Sequence, residues 1–268
     1  MSEDFTTAHP ELKDLDGFRV TLDEGGERAD IILDRPPLNV ITMREREQLR
    51  AVFEALDGNP AVRVVVLRST GEHFSSGGEI PGFLEQTPEH VSHLAWNVAA
   101  PERCSKPVIA AIRGYCFGVG LELSLACDFR IVAESARLGL PEQRIGMIPG
   151  SGGSARLVGC IGVARTKDMV MRARRISAGE AHAWGLALSV VPDAELDSAV
   201  ASLVDELRGF SPLAQRTAKR VIDGAQDAPL HVAIELEGEA YGRLRSSDDF
   251  REGVESFKAK RKPSFKGS

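Results

Sequence analysis

Residues Gly114 to Gly153 read GYCFGVGLELSLACDFRIVAESARLGLPEQRIGMIPGSGG, and the fold and chemistry of the chain turn on this stretch. It carries two carboxylates in apolar, glycine-rich surroundings, Glu122 and Glu142. Gly118-Val119-Gly120 comes just before Glu122, and Pro141 stands immediately before Glu142. Apolar residues at Leu121, Leu123, Leu125, Ala126 and Cys127 predict a helix that starts near Gly118. The first turn of a helix offers unpaired N–H groups and the positive end of a dipole, a place to hold an oxyanion. Taken alone, Glu122 is equally readable as a first-turn acid that complements this dipole. Glu142 changes the reading. It follows Leu138-Gly139-Leu140-Pro141, with Ile145, Met147 and Ile148 after it, so it too is placed in dry surroundings. Two carboxyls in dry sites can hold different protonation states, one as acid and one as base. Adding or removing water across a polarised double bond needs that pairing. Gly150, Gly152 and Gly153 then bring backbone close to whatever the carboxylates address.

Upstream, Phe18 to Leu22 and Ala29 to Leu33 read as strands joined by a turn at Asp23-Glu24-Gly25-Gly26. Thr42 with Glu45 forms a capping box, and Leu49, Val52, Phe53 and Leu56 supply a helical stripe that Gly58-Asn59-Pro60 ends. Val62 to Leu67 is an apolar strand of the buried parallel type, followed by a loop over Gly71 to Glu79. Thr87-Pro88 opens a helix predicted to run to about Cys104, and Pro107 to Ile112 is another strand. This order predicts a right-handed α/β winding. Downstream, Ser154 to Val158, Val163 to Met171 and Ala178 to Gly185 read as short helices, and Leu188 to Val191 as a strand. From Glu195 the pattern is nearly all helix, with breaks at Ser211-Pro212 and Ala228-Pro229. The chain therefore divides into an α/β part, residues 1–200, and a helical part, residues 201–268, too small and polar to hold much core alone.

The 268 residues are 43% hydrophobic and 27% charged, with a net charge of −6, a composition that suggests neither a nucleic-acid nor a membrane partner. Cys104, Cys116, Cys127 and Cys160 form no CxxC and read mostly as buried free thiols, which suits a cytoplasmic protein. The opening MSEDFTTAHPELKD is polar and acidic, unlike a signal peptide, and no apolar run approaches the ~18 residues of a membrane span. Rival motifs fail. The third position of a GxGxxG beginning at Gly118 is Leu123, and Ser151 lacks the elbow of a GxSxG serine. His90 and His93 lack a third metal ligand, so no metal site is expected. The basic segment Lys258 to Lys262 reads as a helix end or a phosphate contact.

The long stretch resembles the enoyl-CoA hydratase, or crotonase, family. The resemblance lies in the glycine turn before Glu122, then Ala126-Cys127-Asp128, Pro141-Glu142 and Ile148-Pro149-Gly150-Ser151-Gly152-Gly153, and it extends from about Phe18 to the C-terminus. It implies a crotonase-type ββα spiral core with a helical C-terminal trimerisation part, hence a homotrimer or a dimer of trimers. It implies hydration of a 2-enoyl-CoA thioester to a 3-hydroxyacyl-CoA. The N–H groups of Gly78 and Val119 would hold the thioester oxygen, Glu122 would activate water, Glu142 would exchange the α-proton and Gly150 would hold the water. Arg35, Pro37, Leu38, Ser76, Gly77, Glu79, Ile80, Gly118 and Pro141 would line the acyl-CoA path, with Phe257 near the adenine and Lys260 on a phosphate. Coenzyme A comes as part of the substrate, and no further cofactor is implied. The chain departs from the family at Val119, where Gly is usual, and at Glu79, where Asp is common; the branched Val119 side chain is expected to crowd the site. Double-bond isomerisation, thioester or C–C hydrolysis, and a non-catalytic acyl-CoA-binding role remain alternatives. Family isomerases usually lose the carboxylate near the Glu122 position, so having both favours hydration.

Overall fold

Alternation within the apolar strands sets the layers of the molecule. The computed structural model describes His9 and residues 12–268, so most of the N-terminal stretch read above as polar lies outside the described residues. The strands are β1 (Phe18–Leu22), β2 (Arg28–Leu33), β3 (Val64–Ser69), β4 (Val108–Ile112), β5 (Tyr115–Phe117), β6 (Phe129–Ala133), β7 (Arg137–Gly139), β8 (Arg175–Ser177) and β9 (Ser189–Val191). The helices are α1 (Met43–Gly58), α2 (Ile80–Phe83), α3 (Pro88–Ser92), α4 (Leu94–Val98), α5 (Ala100–Arg103), α6 (Val119–Leu125), α7 (Gly153–Met171), α8 (Ala178–Ala183), α9 (Leu196–Arg208), α10 (Pro212–Gln226), α11 (Leu230–Leu244) and α12 (Asp248–Ala259).

A six-stranded sheet runs β1-β2-β3-β4-β6-β9, parallel except for the β1–β2 hairpin. In β3, Val65 and Leu67 join the main core with α1, while Val64 and Val66 join a second core with Leu196, Val200, Val204 and Leu207 of α9. Both faces are thus covered, so β4 and the Val64 to Leu67 part of β3 are apolar without interruption. Each fully buried side chain of this kind contributes about 1.5–3 kcal/mol relative to exposure. The capping box forms as the sequence predicts: Thr42 Oγ1 accepts from Glu45 N–H at 3.1 Å, and Leu49, Val52, Phe53 and Leu56 are buried.

Several local expectations need correcting. The third strand begins at Val64 rather than Val62, because pairing of Arg28 with Val64 through Leu33 with Ser69 fixes its register. The helix expected from Thr87 to Cys104 is broken into α3, α4 and α5; His93 and Ala99 flatten to ψ near zero, and Pro101 has no N–H to donate. The two helices expected on either side of Gly162 do form within α7, which is interrupted where Gly162 takes the non-helical values φ 77° and ψ 164°, though the first of them begins at Gly153 rather than Ser154. The three-residue strands β5, β7 and β8 form a second small sheet, ordered β5-β7-β8, which the sequence reading largely missed.

The last helices dock on this body through polar anchors. Lys219 of α10 is buried and donates to Pro101 O, Lys106 O and Asp128 Oδ2 at 2.9, 3.2 and 2.9 Å. Asp128 Oδ2 also accepts from Val108 N–H, so one carboxylate ties α10 to β4. A cleft of about 640 Å³ remains between residues 102–105 and helices α10 and α11. Among the described residues no helix is long and apolar enough to cross a membrane.

Candidate active site

Two glycine turns touch at the centre of the site. Gly77 and Gly118 both take positive φ, 117° and 53°. A Cβ on Gly118 would stand 3.6 Å from Gly77 Cα and 3.1 Å from Glu142 Oε1, so only glycine fits. Backbone pairing holds the turns: Gly118 N–H donates to Gly139 O, Phe117 N–H to Ser75 O, and Ile41 N–H to Gly77 O. Gly78 and Val119 come next in chain on each turn. As the first residue of α6, Val119 has no intrahelical acceptor for its N–H. Neither its N–H nor that of Gly78 donates to another group among the described residues. Two uncommitted N–H groups on touching turns can hold a developing oxyanion.

Glu122 lies in the first turn of α6 and is 3% exposed. Its Oε1 accepts from Ser151 N–H at 2.7 Å and Gly153 N–H at 3.1 Å. A Cβ on Gly153 would come within 3.0 Å of Glu122 Cγ, so this close approach also needs glycine. Burial pushes the Glu122 carboxyl above its ordinary range, opposed by those two N–H groups and by Arg46 and Arg156. Glu142 opens the 3₁₀ turn Glu142–Ile145. Its Oε2 is buried with no hydrogen-bond partner. Burial, opposed by its own backbone N–H and reinforced by the charge of Glu122, pushes it up to about 7. The two carboxyls are thus both desolvated, but Glu122 is held by two N–H groups of another segment and Glu142 only by its own backbone N–H. This inequality favours charge on Glu122 and a proton on Glu142.

The lining expected from the sequence is brought together in part. Ser76 N–H donates to Leu38 O and Glu79 N–H to Ile41 O, so the Arg35–Leu38 loop runs beside the Ser76–Glu79 loop. Pro37 follows a cis peptide bond, and Leu38 and Ile80 are exposed at the rim. The Arg35 guanidinium is engaged with Asp16 at 2.7 Å and Glu45 at 3.7 Å. Pro141 precedes Glu142 as its cap, and Gly150 is exposed in the turn before α7. Val119 is buried at 4% exposure and packs within the main core, where it was expected to crowd the site. Phe257 is 86% exposed on α12 and Lys260 is its left-handed C-cap; no hydrogen bond or ion pair links either to the glutamates.

Two groups of residues went unread in the sequence. The N–H groups of Ser151 and Gly153 address Glu122 itself; a helix beginning at Gly153 was the available signal. Arg46 is 3% exposed and its charge acts on Glu122. Its position was visible too, three residues before Leu49 on the buried stripe of α1.

Comparisons with known proteins give the chain its relatives. Residues 26–268 match the family described as Enoyl-CoA hydratase/isomerase. A carnitinyl-CoA dehydratase of Proteus mirabilis (strain HI4320) is 34% identical over 250 residues, covering 90% of this chain and 96% of that protein. The crystal structure of an enoyl-CoA hydratase from Bacillus anthracis is 36% identical with a TM-score of 0.88, covering 94% of this chain and 100% of that one. A Thermobifida fusca YX structure in this group was solved in complex with CoA; it is 32% identical with a TM-score of 0.80 and covers 87% of this chain and 95% of that one.

Proposed function

This chain belongs to the enoyl-CoA hydratase/isomerase family, and we propose that it catalyses reversible syn addition of water to a 2-enoyl-CoA thioester, giving a 3-hydroxyacyl-CoA. The observation that carries this reading is the unequal pair: Glu122 held by two N–H groups, Glu142 with an unpartnered oxygen and a carboxyl lifted to about 7. In the hydration direction the thioester oxygen takes hydrogen bonds from Gly78 and Val119 N–H. Ionised Glu122 removes a proton from water as the water oxygen bonds to the β-carbon. Protonated Glu142 delivers its proton to the α-carbon, and the enolate collapses to the thioester. The dehydration direction retraces these steps, with protonated Glu122 and ionised Glu142. Gly150 N–H orients the water, Arg35 to Leu38 and Ser76 to Ile80 line the acyl-CoA path, and the protein works as a trimer or a dimer of trimers in which Phe257 and Lys260 close on the coenzyme.

The test is loss of enoyl absorbance over a panel of enoyl-CoA thioesters, for the parent and for Glu122→Gln, Glu142→Gln and the double variant. Each single variant should fall by about 10²–10⁴-fold, and the double variant by less than the product, since the pair acts as a unit. Isomerisation of a 3-enoyl-CoA that survives Glu122→Gln but not Glu142→Gln would replace hydration with the isomerase reading. A parent protein that binds acyl-CoA and converts none of the panel would leave only a binding role.

A further inference from the structure

Arg46 is a buried cation without a side-chain hydrogen bond or ion pair among the described residues. It sits in the first two turns of α1 and is 3% exposed. Its Nε is buried without a partner, and its guanidinium makes no hydrogen bond and no ion pair within 4 Å among the described residues. Its Nη2 stands 2.5 Å from where a Cβ on Gly78 would be, and its Cζ lies 5.2 Å from the Phe83 ring centroid. The guanidinium therefore lies against the turn whose N–H is offered to the thioester oxygen. The nearby acids, Glu45 and Glu122, act on the guanidinium through charge, but neither comes within 4 Å of it. Glu45 is reached by Arg35 at 3.7 Å, and Glu122 Oε1 is taken by Ser151 and Gly153 N–H. Glu122 must also change protonation in every cycle, so it is no fixed counterion.

An Arg presents a planar fork of donors that matches a carboxylate in a bidentate pair, and burying it unpaired is costly. The complement must then come with the ligand. The coenzyme's phosphates are separated from the thioester by the pantetheine arm, so an anion beside Gly78 has to sit on the acyl side. We propose that Arg46 is a specificity-determining residue that pairs with a carboxylate on the acyl chain, making the preferred substrates 2-enoyl-CoA thioesters of dicarboxylic acids. This deepens the hydratase reading above and rests on it for the reaction, though not for the recognition.

The experiment compares kcat/KM for glutaconyl-CoA, which ends in a carboxylate, with that for 2-pentenoyl-CoA, which ends in a methyl. The parent should prefer glutaconyl-CoA, and Arg46→Met should lower this preference about 10- to 100-fold, mainly through KM. Arg46→Lys, which keeps the charge but loses the fork, should lie between. Removing the cation also withdraws support from the Glu122 charge, and that loss divides out of the ratio because both substrates share it. A parent without preference, or a preference unchanged in both variants, overturns the inference. Calorimetric binding of unreactive glutaryl-CoA against pentanoyl-CoA separates it from the reaction. Arg46-dependent discrimination in binding without any hydration would sink the hydratase reading alone, whereas hydration without discrimination would sink the Arg46 inference alone.

Discussion

The stretch from β4 to α7 and the helices from α10 onward hold their polar groups in opposite ways. In the first, every residue of α6 is buried, and the acids are lifted by desolvation, with Glu142 reaching about 7. In the second, α11 has no buried residue, and Leu230, Ile234 and Tyr241 are 76%, 59% and 72% exposed. There Glu252 is held down at about 2, chiefly by a hydrogen bond from Arg261. The second spends its apolar side chains on an outward face, as a surface meant for a neighbouring copy does. Chemistry and assembly should therefore be separable by substitution.

The largest effect is expected from Gly118→Ala. A Cβ there would press on Glu142 Oε1 and force φ 53° on an alanine, a strain of about 1–2 kcal/mol. Hydration should fall by about 10²–10³-fold, as when one oxyanion donor is lost, while light scattering shows the parental mass. A change of assembly in this variant would break the separation.

The pH profile comes next. Hydration starts with the proton on Glu142 and ends with it on Glu122, so both directions need one proton on the pair. Since the overall equilibrium takes up no proton, kcat/KM must follow one curve in both directions. It should fall about tenfold per pH unit above about 7, where the pair loses its proton. Hydration that rises above pH 7 would reverse the assignment of the protonated acid.

On the other side of the comparison, the parent should scatter light as a multiple of three subunits. Ile234→Asp on α11 should shift it toward monomer without loss of far-ultraviolet circular dichroism. A monomeric parent would remove the assembly reading.

A smaller effect concerns stability. Burial pushes the Glu45 carboxyl from 4.5 to about 8, so between those values the folded chain binds a proton that the unfolded chain has released. Stability should then decline as pH rises through that window. Glu45→Gln keeps the capping geometry and should flatten the decline of the thermal midpoint; an unchanged slope would show that Glu45 titrates normally. The smallest effect is that of Lys260→Ala, expected to raise KM for acyl-CoA about fivefold at low salt with turnover at saturation intact. An unchanged KM would remove Lys260 from the coenzyme's path.

What the sequence disclosed follows the range of the forces involved. Capping at Thr42 and Glu45 and the stripe from Leu49 to Leu56 depend on neighbours a few residues away, and they were read directly. So were the two glutamates, because glycine and proline mark their turns. β5 and β8 were not legible, since three-residue strands carry too few side chains to show a period and exist only by pairing with β7. The partners of Glu122 come from 29 and 31 residues away, a separation at which spacing says nothing. Arg46 was hidden by its type: a cation on a buried stripe reads as an interruption of the pattern, whereas here it belongs to the site.

The hold of Ser151 and Gly153 on Glu122 makes one oxygen serve two masters. Those N–H groups stand at the start of the helical segment that runs from Gly153 to the break at Gly162, and the carboxylate is the anion that lets its positive pole rest against α6. In the proposed mechanism each turnover neutralises that anion and then restores it. The joint between α6 and α7 would therefore be loaded and unloaded once per catalytic cycle. Vibrational spectroscopy of the Glu122 carboxyl in a stalled product complex would register this as a mechanical signal at the root of α7.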